Sequence, residues 1–158
     1  MTLPALVDQL KPLAFLLGTW RGSGSGVYPT IDDFTYEEEA VFTHTGRAFL
    51  IYVQKTWDPA TQRPMHSETG VFRALDGGRI EMVMSHAFGI AEVAEGSVSG
   101  SMVETSSTAL VSTGTAKTID AVARRMELVG DELRYAVQMA FGGHALQGHL
   151  EATLKRTD

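Results

Sequence analysis

The side chains best able to bind a metal or move a proton near neutral pH are five histidines: His44, His66, His86, His144 and His149. There is no cysteine, which removes disulfides, zinc–thiolate sites, iron–sulfur clusters and covalent c-type haem attachment together. Only His144 and His149 stand at a short ligand spacing, so a metal cage built wholly from protein donors is not expected. Taken singly, each histidine reads as a surface or hydrogen-bonded residue. The acidic run Glu37-Glu38-Glu39 could pair two carboxylates, but strand neighbours face opposite ways and only Glu37 and Glu39 share a face. A solvated edge with room for one inward-facing Glu explains it better. There is no Gly-x-x-x-x-Gly-Lys-Ser/Thr and no His-Glu-x-x-His. Residues 23–26 are glycine-rich, yet no helix follows to offer its N-terminus to a phosphate, so they read as a bent strand.

Length and charge narrow the partners. The 158 residues fit one domain, taken as 1–158, large enough to bury roughly 70% of its unfolded surface. The net charge is −6, with acids and bases interspersed and no Lys/Arg run beyond two. Nucleic acid and anionic membranes both require a basic patch to replace counterions, so neither is an expected partner. No apolar run approaches the ~20 residues of a membrane helix, and residues 1–11 lack the pattern of a signal peptide. A cytoplasmic location is the expectation.

The elements that would position these residues follow from periodicity. Over residues 2–17, Leu3, Leu6, Leu10, Leu13 and Leu17 recur at helical spacing, with Pro12 interrupting, which predicts one or two turns capping a hydrophobic opening. After Trp20 the period becomes two. Phe34, Tyr36, Ala40 and Phe42 share a face around Glu38; Ile80, Met82 and Met84 share another; Leu133, Tyr135, Val137, Met139 and Phe141 give the clearest alternation. Turn signals such as Asp76-Gly77-Gly78 and Gly130-Asp131 separate about ten short strands. No helix is long enough for a parallel crossover, so an all-β antiparallel meander is expected, closed as a barrel or split as a sandwich. The segment around His149 fits both a helical stripe and a strand. The preceding Gly142-Gly143 turn and the need for a closing partner favour a final strand, with His149 near its start. Seven methionines and seven phenylalanines would suit either an ordinary core or an adaptable cavity lining.

Three motifs carry a resemblance. Gly18-Thr19-Trp20-Arg21-Gly22-Ser23-Gly24 reads as Gly-x-Trp-x-Gly-x-Gly and runs on to Tyr28-Pro29-Thr30-Ile31. Pro64-Met65-His66-Ser67-Glu68-Thr69-Gly70 follows, then Leu146-Gln147-Gly148-His149-Leu150 with Ala152 and Leu154. In this order and near this spacing the chain resembles the nitrobindins over essentially its whole length. The resemblance implies a ten-stranded antiparallel up-and-down β-barrel, akin to the lipocalins and fatty-acid-binding proteins, with a short N-terminal helical plug. It implies a non-covalent ferric b-type haem, five-coordinate, with His149 as proximal ligand and catalytic centre. Gly18, Trp20, Gly22 and Gly24 would form a first strand beside the pocket. Thr30, Met65 and His66 would contact the haem, the last two near its distal face, and Lys117 would lie near a propionate. The implied activity is isomerisation of peroxynitrite to nitrate with reversible nitric oxide binding.

Some residues depart from that pattern or compete with it. His86 stands where a histidine is not expected, and facing inward it could become a sixth ligand or distal donor. Gly148 could loosen the setting of His149. His144, in a glycine turn, is expected in solvent. A carrier of fatty acid on the same barrel is the alternative function, although it would want an inward arginine pair and Arg124 and Arg125 are adjacent, so that only one faces in. A haem-based nitric oxide sensor is another. A homodimer through an exposed sheet face is compatible with the sequence but not required by it.

Overall fold

Ten segments of period-two alternation form ten strands in the computed structural model, which describes residues 4–158. They are β1 (Gly18–Tyr28), β2 (Ile31–Thr43), β3 (Phe49–Trp57), β4 (Pro64–Ala74), β5 (Arg79–His86), β6 (Ile90–Ser99), β7 (Met102–Ser112), β8 (Ile119–Val129), β9 (Glu132–Phe141) and β10 (Gln147–Arg156). Each pairs antiparallel with the next, and β1 pairs with β10 to close the barrel. Closure removes most of the sheet edge that could template aggregation, and the interior is an inward-facing surface. One ladder is short: β7 and β8 are in register only from Met102 to Ser106, after which β7 stays paired with β6 alone. The connection 113–118 crosses this gap.

One end of the barrel is plugged. Residues Asp8–Leu16 form a 3₁₀ helix, with Pro12 inside it and Leu10, Leu13 and Leu16 buried. Three residues per turn put those three leucines in one line. The expected stripe therefore shifts at its end: Leu16 faces the core and Leu17 is only half-buried, while Leu3 lies outside the described residues. The Trp20 indole donates to the Leu16 carbonyl at 2.7 Å, and Arg156 donates to the Phe15 carbonyl while its guanidinium stacks 4.6 Å from the Trp20 ring. Above the plug, Phe42, Leu50, Phe72, Ile80, Met82, Leu133 and Leu154 are almost wholly buried and fill that half of the interior.

The motif glycines of β1 are explained by this packing. Trp20, Gly22, Gly24 and Gly26 point inward, opposite β10 on one side and β2 on the other. A Cβ on Gly22 would come 2.1 Å from the Thr153 carbonyl oxygen, which is backbone and cannot swing aside. On Gly24 it would strike the Tyr36 ring at 2.4 Å. Overpacking of this kind costs about 1–3 kcal/mol. Gly22→Ala is therefore expected to lower stability in urea by about 2 kcal/mol or more, whereas Gly114→Ala, with open space around its Cβ, is expected to change it by less than about 0.5 kcal/mol.

Candidate active site

The other half of the barrel is hollow. Its cavity of about 610 Å³ is walled by Ile31, Phe34, Met65, Ile90, Met126 and Val137 among other apolar residues, within the range of small-molecule sites. His149 enters it through a β-bulge. Gly148 pairs with Gln138 and Leu150 with Val137, so His149 is an extra residue between two register positions. Strict alternation from Leu150, Ala152 and Leu154 would turn His149 outward with Glu151 and Thr153; instead both His149 and Leu150 line the cavity. Its Nδ1 lies 3.0 Å from the Val27 carbonyl oxygen. A carbonyl only accepts, so Nδ1 carries the proton and Nε2 keeps its lone pair for the cavity. Tyr28 and Phe34 pack edge-on to the ring at 5.6 and 6.4 Å and fix its plane.

The cavity floor is polar. Arg124 from β8 is held by Glu92 Oε1 at 2.6 Å and Glu68 Oε2 at 3.2 Å. His86 contacts the same two carboxylates, Glu68 through Nδ1 at 3.1 Å and Glu92 through Nε2 at 2.8 Å, and Tyr52 donates to Glu68 Oε1. Burial opposes charge on Glu68, but Arg124 and His86 outweigh it and hold the carboxyl well below its usual range. Burial likewise opposes charge on His86, and its two carboxylates outweigh it, pushing the ring up to about 9. A separate chain runs from Tyr36 through the Tyr135 hydroxyl, 2.7 Å away, to Glu38, which accepts from Tyr135. Burial pushes the Glu38 carboxyl up to about 8, against the pull of the Tyr135 hydrogen bond.

Residues 9–156 match the family model described as a THAP4-like, heme-binding beta-barrel domain. The chain belongs to this family. It is 48% identical over 155 residues to a protein of Mycolicibacterium paratuberculosis named peroxynitrite isomerase 1, covering 96% of each chain. It is 43% identical over 156 residues to the peroxynitrite isomerase of Nocardia farcinica, covering 96% of this chain and 93% of that one. The crystal structure of Rv2717c from M. tuberculosis superposes with a TM-score of 0.91 at 41% identity, covering 98% of this chain and all of the other.

The residues present fit the cofactor in the family's description. A single imidazole with Nε2 free toward an apolar chamber is the donor set that a b-type haem requires. Of the positions singled out in the sequence, Thr30, Met65, His66, Lys117 and His149 all line the cavity. Lys117 sits in the 113–118 connection with its ammonium 5.8 Å from the Phe141 ring centre. Gly18, Trp20, Gly22 and Gly24 are not among the lining residues: Trp20, Gly22 and Gly24 pack beneath the cavity, with Tyr36 resting on Gly24, and Gly18 lies against the Arg156 and Asp158 side chains. Gly148 is exposed and adjoins the bulge, a position where a residue without a side chain eases the strand's bend. His144 is exposed, as expected. His86 faces inward, but both its ring nitrogens are engaged by carboxylates.

Sequence reasoning missed Glu68, Glu92 and Arg124 as a buried cluster. The signal was parity: His66, Glu68 and Phe72 on β4, Met84 and His86 on β5, Ile90 and Glu92 on β6, and Val122 and Arg124 on β8 share the inward face. Glu38 has a consequence in solution. Its folded pKa lies above the unfolded value, so its contribution is full below about pH 4.5 and is lost as pH rises through about 8. His86 loses its contribution over a similar rise, through about 9. Glu38→Gln keeps an acceptor for Tyr135 and removes the first loss. The variant is expected to gain on the order of 2 kcal/mol over the wild type between about pH 6 and pH 9, measured by urea unfolding at each pH.

Proposed function

We propose that this chain holds a ferric b-type haem through His149 Nε2 and isomerises peroxynitrite to nitrate, with reversible nitric oxide binding at the same site. The observation that carries the reading is the bulged His149, locked as its Nδ1–H tautomer by the Val27 carbonyl and facing an apolar chamber. The names of the relatives described above supply the substrate. When bound, ferric haem would supply the Lewis-acid and redox chemistry for an anionic oxidant. The chain's own residues then have distinct tasks. His149 would anchor the group, its ring oriented and its Nδ1 proton held by the Val27 carbonyl. Lys117, at the mouth, suits a propionate. Met65, Ile90 and Val122 line the chamber with apolar surface that would exclude water and confine a small reactant.

A fatty-acid carrier is disfavoured by a specific contact. Arg124, the one inward arginine of the pair, is already bound by two carboxylates, which would repel a third. Haem titration and peroxynitrite decay test the proposal. The His149→Leu chain is expected to fold, to lose haem affinity by at least about tenfold with a displaced Soret band, and to lose catalysis of decay. An unchanged Soret band and affinity in that variant would overturn the ligand assignment. Haem binding with no acceleration of decay by the wild type would leave a sensor instead of an isomerase.

A further inference from the structure

β5 lies five strands round the barrel from β10 in either direction, so His86 and the start of β4 face His149 across the cavity. We propose that His66 Nε2, Glu68 Oε2 and His86 Nδ1 form a second metal site, for a divalent transition ion of the zinc class, on that wall. It does not use His149, although His66 and His86 line the same cavity.

The strands bring the three donors together without help from a loop. Glu68 and His86 are direct cross-strand partners, and His66 lies two residues before Glu68 on the same inward face. A tetrahedral ion with bonds of about 2.0–2.1 Å places its donor atoms roughly 3.4 Å apart. Glu68 Oε2 is 3.1 Å from His86 Nδ1 and 3.7 Å from His66 Nε2, on either side of that value. All three donors lie within 4.8 Å of one another, and the two imidazoles are already stacked at 5.7 Å. A closing of the rings by at most about 1.4 Å completes the triangle.

The surroundings are those of a ligand set. His86 turns its other nitrogen to Glu92 Oε2 at 2.8 Å, the carboxylate–histidine arrangement that fixes a metal-binding imidazole, and Arg124 holds Glu92 in turn. Tyr52 fixes the remaining oxygen of Glu68. His66 has no side-chain hydrogen bond among the described residues: Nδ1 is buried without a partner, and 3.7 Å to Glu68 is too long for one. Nε2 is therefore free to bind an ion, the proton then standing on Nδ1. An ion on Nδ1 of His86 must displace the proton there, after which two carboxylates against one guanidinium leave a single negative charge; Arg124 also shares Glu68 Oε2 at 3.2 Å, so binding is weaker than at a closed structural site. Three protein ligands leave the fourth position open to the cavity, as in zinc sites that bind water or substrate.

Equilibrium dialysis of the full-length chain against buffered zinc, with zinc and iron counted per chain, tests this. One zinc per chain is expected in both the wild type and His149→Leu, whatever their iron content. His66→Ala, which breaks no hydrogen bond, is expected to weaken zinc binding by at least tenfold, and Glu92→Gln by about 10- to 100-fold. His44→Ala and His144→Ala should bind as the wild type does. Circular dichroism of each variant checks that it is folded. Binding of clearly less than one zinc, or affinity in folded His66→Ala equal to the wild type, would overturn the site; loss of binding in His144→Ala would assign the zinc to the surface.

Discussion

A β-strand offers only every second side chain to one face, and the functional half of this barrel depends on one local breach of that rule. The bulge between Gly148 and Leu150 adds a residue to β10, and that residue is His149. Without it the imidazole would join Glu151 and Thr153 in solvent. The same distortion brings Nδ1 to the Val27 carbonyl of β1, next to that strand's own irregularity between Gly26 and Tyr28. Two adjacent breaks in the ladder therefore cooperate: one turns the ring inward, and the other supplies the acceptor that sets its tautomer.

The rest of the fold makes such a local deviation affordable. The plugged half is a dry core of leucine, methionine and aromatic side chains, sealed by the 3₁₀ helix and the Trp20–Arg156 stack. Close packing there requires glycines at Gly22 and Gly24, where β1 runs against the β10 backbone and the Tyr36 ring. The hollow half buries charge, which is costly unless paired. Glu68, Glu92, Arg124 and His86 answer that cost by satisfying one another. Glu38 answers it differently, by favouring its neutral form beside Tyr135.

Much of this was legible in the sequence. Alternation along Ile80-Met82-Met84 and Leu133-Tyr135-Val137 gave the strands, glycine pairs gave the turns, and the chemistry of an inward Glu38 was open to inference. The bulge was not legible, because alternation is a rule about regular strands, and only the motif around His149 argued for an inward ring. Gly148, read as a possible looseness, adjoins that bulge. The charged floor was hidden for another reason: its members come from four strands, and only the barrel's register puts Glu68 opposite His86 and within reach of Arg124. Trp20, Gly22 and Gly24 carried a family signature whose physical content is packing beneath the pocket. The 3₁₀ period of three, in place of 3.6, moved the buried leucine from Leu17 to Leu16.

The central claim is that the chain presents one particular nitrogen, Nε2 of His149, to a cofactor. Crystals of the haem-loaded chain would show it directly. The account predicts iron bound to His149 Nε2, with Nδ1 still donating to the Val27 carbonyl and the bulge intact. Iron held by His66, His86 or His144, or by Nδ1 of His149 with the Val27 contact broken, would contradict it.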